Sequence, residues 1–150
     1  MLSINSPHSE KVSEIKIKTG NESGKMIWTG RIMSGISVLF MLFDSITKII
    51  KAPQSIEGTV SLGYPATLVP VIGLILFILT IIYIIPRTSF LGAVLLTGYL
   101  GGAVASNFRL MNPLFSHTLF PVYMAVLIWG GLYLRDNFIK QLIMFRKKTL

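Results

Sequence analysis

The side chains able to do chemistry are few, and their spacing says more than their number. Asp44 and Lys48 stand four residues apart. On a helix they share one face, in the acid-before-base order that favours pairing. Asn107, Arg109 and His117 follow in the second half of the chain, with Tyr64 between the two groups. A carboxylate, several cations, a carboxamide and an imidazole are the makings of a binding site for an anionic or quinone-like ligand, or for a partner loop. They are not the makings of a metal centre, because His117 is the only histidine beyond the first 25 residues and a zinc or bis-histidine haem site needs more ligands. The absence of cysteine excludes disulfides, thiolate nucleophiles and iron–sulfur clusters. Ser45-Ile46-Thr47-Lys48 fits the Ser-x-x-Lys pattern of acyl enzymes, but its companion motifs are missing. No phosphate loop, dinucleotide fingerprint or His-Glu-x-x-His occurs. The residues therefore predict no catalytic site and no stand-alone enzyme.

These groups must be positioned by apolar helices. Hydrophobic residues make up 52% of the 150-residue chain and charged ones only 13%, about half the charge that a water-exposed surface of this size carries. Four apolar runs are separated by turn signals. The first covers about residues 27–50. The second, about 67–85, has Pro70 in its first turn and Pro86 at its end. The third, about 89–108, follows a turn so short that it must lie antiparallel to the second, with Thr88 or Ser89 as its cap. The fourth, about 116–134, starts with Pro121 in its first turns and has Trp129 and Tyr133 near its far end, where amphipathic rings suit an interface. Some 20 helical residues cross a hydrocarbon layer of about 30 Å. The prediction is an all-α, four-transmembrane-helix bundle over 26–137, up-down-up-down, with a polar flexible tail over 1–25, a loop over about 51–66 and a basic tail over 138–150. Gly98, Gly102 and Ser106 repeat every four residues and predict a smooth face for close helix packing.

An even number of spans leaves both termini on one side. That side would hold Lys11, Lys16, Lys18, Lys25, Arg31, Arg87, Arg135, Lys140, Arg146, Lys147 and Lys148; the other would hold only Lys48, Lys51 and Arg109. The positive-inside rule then puts both termini in the cytoplasm. Asp44, Lys48, Tyr64, Asn107, Arg109 and His117 consequently gather at the outer half. Gly30, Ser37, Asp44 and Lys48 form one stripe facing the bundle rather than lipid. Two readings of that half stay open: an ion pair in an ordinary wet interface, or a polar mouth that holds a ligand. The basic C-terminus reads as a topology anchor at anionic lipid, with no support for nucleic-acid binding.

Several separated pieces also resemble a known family. They are Leu39-Phe-Met-Leu-Phe-Asp-Ser-x-x-Lys48, Leu62-Gly-Tyr-Pro65, Ile85-Pro-Arg-Thr88, Leu95-Leu-Thr-Gly-Tyr-Leu-Gly-Gly-Ala103, Pro113-Leu-Phe-Ser-His117 and Gly130-Gly-Leu-Tyr-Leu-Arg-Asp136. In this order they resemble the DoxX-like family of bacterial membrane proteins over about residues 27–140. The resemblance implies a four-helix membrane bundle in the bacterial cytoplasmic membrane. The family takes its name from a small subunit of a thiosulfate:quinone oxidoreductase, and other relatives are linked to membrane redox complexes or to chaperoning of membrane proteins. It thus implies an accessory or scaffold subunit with a membrane partner or a second copy of itself, and quinone as a candidate cofactor. The alternatives are a small-molecule binder or carrier using the polar mouth, and a membrane-protein chaperone. It carries over no catalytic residue.

Overall fold

Proline and the lengths of the apolar runs set the element boundaries. The structure, a computed structural model, describes the backbone of residues 7–113, 115, 118–136 and 139, with side chains from residue 24 onward. Five α-helices are present among the described residues: α1 (Pro7–Ile49), α2 (Pro53–Ser61), α3 (Val69–Ile84), α4 (Ser89–Arg109) and α5 (Phe120–Arg135), with a 3-10 turn at Ala66–Leu68. Helix α1 extends back to Pro7, through residues whose sequence shows no sustained period. Adding turns to an existing helix costs far less than nucleating one. It stops where Pro53 disfavours a helical conformation at Ala52. Lys51 takes a left-handed conformation (φ 57°), and the amide of Ala52 bonds the carbonyl of Thr47 at 2.9 Å.

Within the expected loop, residues 53–61 instead form α2. Pro53 occupies its first turn, where a missing N–H costs nothing, and Thr59 is its buried residue. Helix α3 starts and stops close to the expected positions. Thr88 takes the N-cap position of α4 but makes no side-chain cap. Its hydroxyl instead donates to the carbonyl of Ile82 at 2.8 Å, and its carbonyl accepts the first helical bond, from Gly92.

Three helical segments are long and apolar enough to cross a membrane: Gly24–Ile49, Ala66–Ile84 and Ser89–Arg109. Helix α5 is apolar but has 16 residues, about 24 Å of rise. It begins later than the sequence suggests, at Phe120, with Pro121 in its first turn.

The core runs along one seam. In α3, Val69, Gly73, Leu76, Thr80 and Tyr83 are buried, at alternating spacings of four and three that define a single helical stripe. Leu76 and Tyr83 cluster with Leu96 and Leu100 of α4, and with Ile128 and Leu132 of α5. Helix α1 presents Gly30, Ser34, Ser37, Met41 and Ser45, so its inner face is small and hydroxylic. Those hydroxyls are buried without cost because the helix satisfies them: Ser37 donates to the carbonyl of Ser34 at 2.9 Å and Ser45 to that of Leu42 at 2.8 Å. Gly30 and Ser37 of the expected stripe are indeed buried, whereas Asp44 and Lys48 are half-buried.

Helix α1 packs against α3 and α5, and α4 packs against the same two. Ser34 meets Tyr83 while Ser45 meets Gly73, so α1 and α3 run in opposite directions. Helices α1 and α4 stand diagonally and share no backbone neighbours among the described residues. Close approach occurs where glycine removes a side chain. A Cβ on Gly92 would lie 2.5 Å from the backbone of Tyr83, one on Gly73 2.9 Å from the carbonyl of Ser45, and one on Gly30 2.7 Å from the Cβ of Leu134. The packing face expected of Gly98 and Gly102 is not used in this way. A Cβ on either would meet nothing within 4 Å. The reason is that both glycines face a cavity between α4 and α1.

Candidate functional site

That cavity has a volume of about 820 Å³. It lies between the second half of α1 and the second half of α4, with α3 forming one wall and α2 its cover. Local structure explains each wall. The period of α1 turns Phe40, Asp44, Thr47 and Lys48 towards the gap, and Lys48 donates to the Asp44 carboxylate. The side chains of Lys48 and Asp44 are 15% and 34% exposed, so the pair is largely withdrawn from solvent, and each partner stabilises the charge of the other.

Helix α4 offers Gly98, Tyr99, Gly102, Ala103 and Ser106. Two glycines one turn apart leave bare backbone as a flat surface. Helix α2 contributes Gln54, Ser55, Gly58 and Thr59 from above. The Leu62–Tyr64 segment closes the rim. Gly63 has φ +87°, a left-handed conformation that glycine adopts readily, and this bend lets the Tyr64 hydroxyl bond the Ser106 hydroxyl at 2.9 Å. Arg109 ties the same bend to α4 by donating to the carbonyl of Leu62 at 3.1 Å.

The sequence-predicted residues therefore separate. Asp44, Lys48 and Tyr64 line the cavity. Arg109 holds its rim through backbone contact and is not part of the wall. Asn107 is buried and turned elsewhere: its amide donates to the carbonyl of Ala103 at 2.9 Å, and its side-chain oxygen accepts from Asn112 at 2.9 Å. It fastens the end of α4 to the following segment. His117 lies outside the described residues.

Sequence reasoning missed α2 as a cover, Tyr99 as a wall residue and the glycines as cavity lining. Pro53 followed by apolar Ile56 and Val60 is the one signal that could have revealed α2. What the arrangement offers is binding chemistry: an ion pair, a phenol and hydroxyls, together with Phe40, Ile72, Ile75 and bare helix backbone.

The sequence model of the DoxX-like family matches residues 32–131, which include every wall residue of the cavity. The chain belongs to the DoxX-like family. No curated protein and no solved structure matches it. As a DoxX-like membrane protein it has its ion pair, its glycine-lined wall and its rim inside the family region, whereas the first 31 residues of the chain lie before it.

At the opposite end of the helices the DoxX-like chain is closed. The Tyr83 hydroxyl lies 3.0 Å from the Ser34 hydroxyl and donates to the carbonyl of Ile128 at 3.0 Å. The Arg135 guanidinium stacks 5.1 Å from the centre of the Tyr83 ring, an attractive cation–aromatic arrangement. One of its terminal nitrogens is buried without a hydrogen-bond partner among the described residues. Trp129 donates to the Thr97 hydroxyl at 2.8 Å and meets Phe90 edge-on, so its indole joins α5 to α4 instead of only marking an interface.

Proposed function

We propose that this DoxX-like protein binds a small molecule in the α1–α4 cavity, on the outer side of a bacterial cytoplasmic membrane. One observation carries the reading: a void of about 820 Å³ is walled by an ion pair, hydroxyls and bare helix backbone where neighbouring helices would otherwise close. Sites for small ligands occupy about 300–1,000 Å³, are mostly apolar and hold a few convergent polar groups. In this reading all four long helices cross the bilayer, up-down-up-down, with both termini cytoplasmic. Eleven of the fourteen basic residues on the terminal side support the orientation. Local thinning of the bilayer accommodates the length that the 16 residues of α5 lack. Asp44, Lys48 and Tyr64 are the proposed contacts, Arg109 holds the rim, and quinone is one occupant among those to be tested. Native mass spectrometry of gently extracted protein is the direct test. A bound small molecule is expected, and its loss from Gly102→Leu, which projects a side chain into the void, assigns it to the cavity.

A second reading is an accessory or scaffold subunit in a membrane complex. It is favoured by the same unpaired Gly98–Gly102 surface, which would accept a helix from a partner or from a second copy. The same mass measurement separates the two, because a protein partner and a small ligand differ in added mass.

A further inference from the structure

The charges on the cavity wall limit what it can hold. Among the described residues, Asp44 and Lys48 are the only charged side chains that line it, and they are joined to each other. The described wall is therefore polar but has no net charge. An anionic head group would be drawn to Lys48 and repelled by Asp44, and a cationic one the reverse. Either would lose its water for no net electrostatic return. A zwitterion or a polyhydroxyl head can satisfy both members at once, with Tyr64, Ser106 and Gln54 close by for further hydrogen bonds.

Apolar side chains complete the lining, and some of them also reach the outer surface. Phe43 and Ile75 line the cavity, yet they are 68% and 46% exposed on the outer surface of helices long enough to span. In a bilayer that surface faces acyl chains, so the way in passes through lipid. Along α4, a Cβ at Gly98 or Gly102 would meet nothing within 4 Å, so that part of the wall is bare backbone with room beside it.

We propose that the cavity takes a single-chain amphiphile whose head group carries no net charge, admitted from the surrounding lipid with its head at Asp44–Lys48 and its chain along the Gly98–Gly102 wall. This rests on the ligand-binding reading above and narrows it to a chemical class.

The test uses full-length protein exchanged into amphipol. Four probes share one chain and differ in head group: myristoyl-lysophosphatidylcholine, monomyristin, myristate and tetradecyltrimethylammonium. The melting-temperature rise and the bound mass are recorded for each. The two uncharged or zwitterionic probes are expected to bind the wild type at least about tenfold more tightly than the ionic ones. Asp44→Asn, which leaves Lys48 unopposed, should shift preference to myristate. Lys48→Met should shift it to the ammonium probe. Gly102→Leu should keep the ligand-free melting temperature and lose binding of all four. Equal binding of ionic and neutral probes by the wild type would overturn the head-group assignment while leaving the binding cavity in place. Binding of none of them would overturn the amphiphile class altogether. The ligand-binding reading itself then falls only if the wild type also carries no other small molecule that Gly102→Leu loses.

Discussion

Glycines at the two ends of the same helix, α4, have opposite uses. At Gly92 the neighbouring helix is so near that a single methyl group would strike the backbone of Tyr83 at 2.5 Å. At Gly98 and Gly102, two to three turns further along, the same methyl group would meet nothing within 4 Å. The closed end is organised by contact: Gly30, Gly92 and Gly131 admit neighbouring helices, and the Tyr83 hydroxyl joins Ser34 to Ile128. The cavity end is organised by separation. There α1 and α3 stay in contact through Gly73 while α4 stands apart, joined across the gap by Tyr64–Ser106 and Arg109–Leu62. A membrane gives no hydrophobic drive for helices to associate, so fit and hydrogen bonds hold them together. A fixed closed end is what allows the other end to remain open.

Substitutions can break this contrast. The largest effect is expected for Gly92→Ala. The atoms it meets are backbone and cannot swing aside, so a loss of about 2–3 kcal/mol follows, visible as a lower melting temperature in detergent. Next comes Asp44→Asn, which strands a half-buried ammonium near the edge of the apolar region. A loss of about 1–2 kcal/mol is expected. The double variant Asp44→Asn/Lys48→Met should recover most of it, and a cycle of melting measurements reads the coupling. Tyr83→Phe removes only the hydroxyl that joins three helices and should cost about 1 kcal/mol. Smallest, and opposite in sign, is Gly102→Ala. An exposed helical glycine gains about 0.5–1 kcal/mol on acquiring a methyl group, so the ligand-free protein should melt slightly higher. If Gly92→Ala and Gly102→Ala changed stability alike, the two ends would not differ as described.

The proposed topology has its own measurement. The chain lacks cysteine, so single cysteines at Lys51 and Asn112 can be labelled without a background. Both should react with a membrane-impermeant reagent from outside intact cells, and reaction only after lysis would reverse the orientation.

Much of the fold was legible because it is local. Pro70, Pro86 and Pro121 punctuate the apolar runs, and each lies at or next to an observed helix end. The Asp44–Lys48 pair follows from one turn of helix and is present as predicted. Legibility ended where a residue's role depends on a neighbour distant in sequence. Asn107 and Arg109 are polar residues at the right end of the right helix, yet one fastens a following segment and the other holds a backbone carbonyl. The short helix α2 was read as loop because nine residues barely establish a period.

The amino-acid order alone established where the long apolar helices lie, that the face of α1 bearing Gly30 and Ser37 turns inward, and that a carboxylate and an ammonium would meet. Those outcomes depend on residues three or four positions apart, a distance that the helical repeat fixes. Which small residues bring helices together and which stand beside a void follows only from the assembled fold. A four-residue spacing places glycines on one face of a helix, but what lies opposite that face depends on residues distant in sequence.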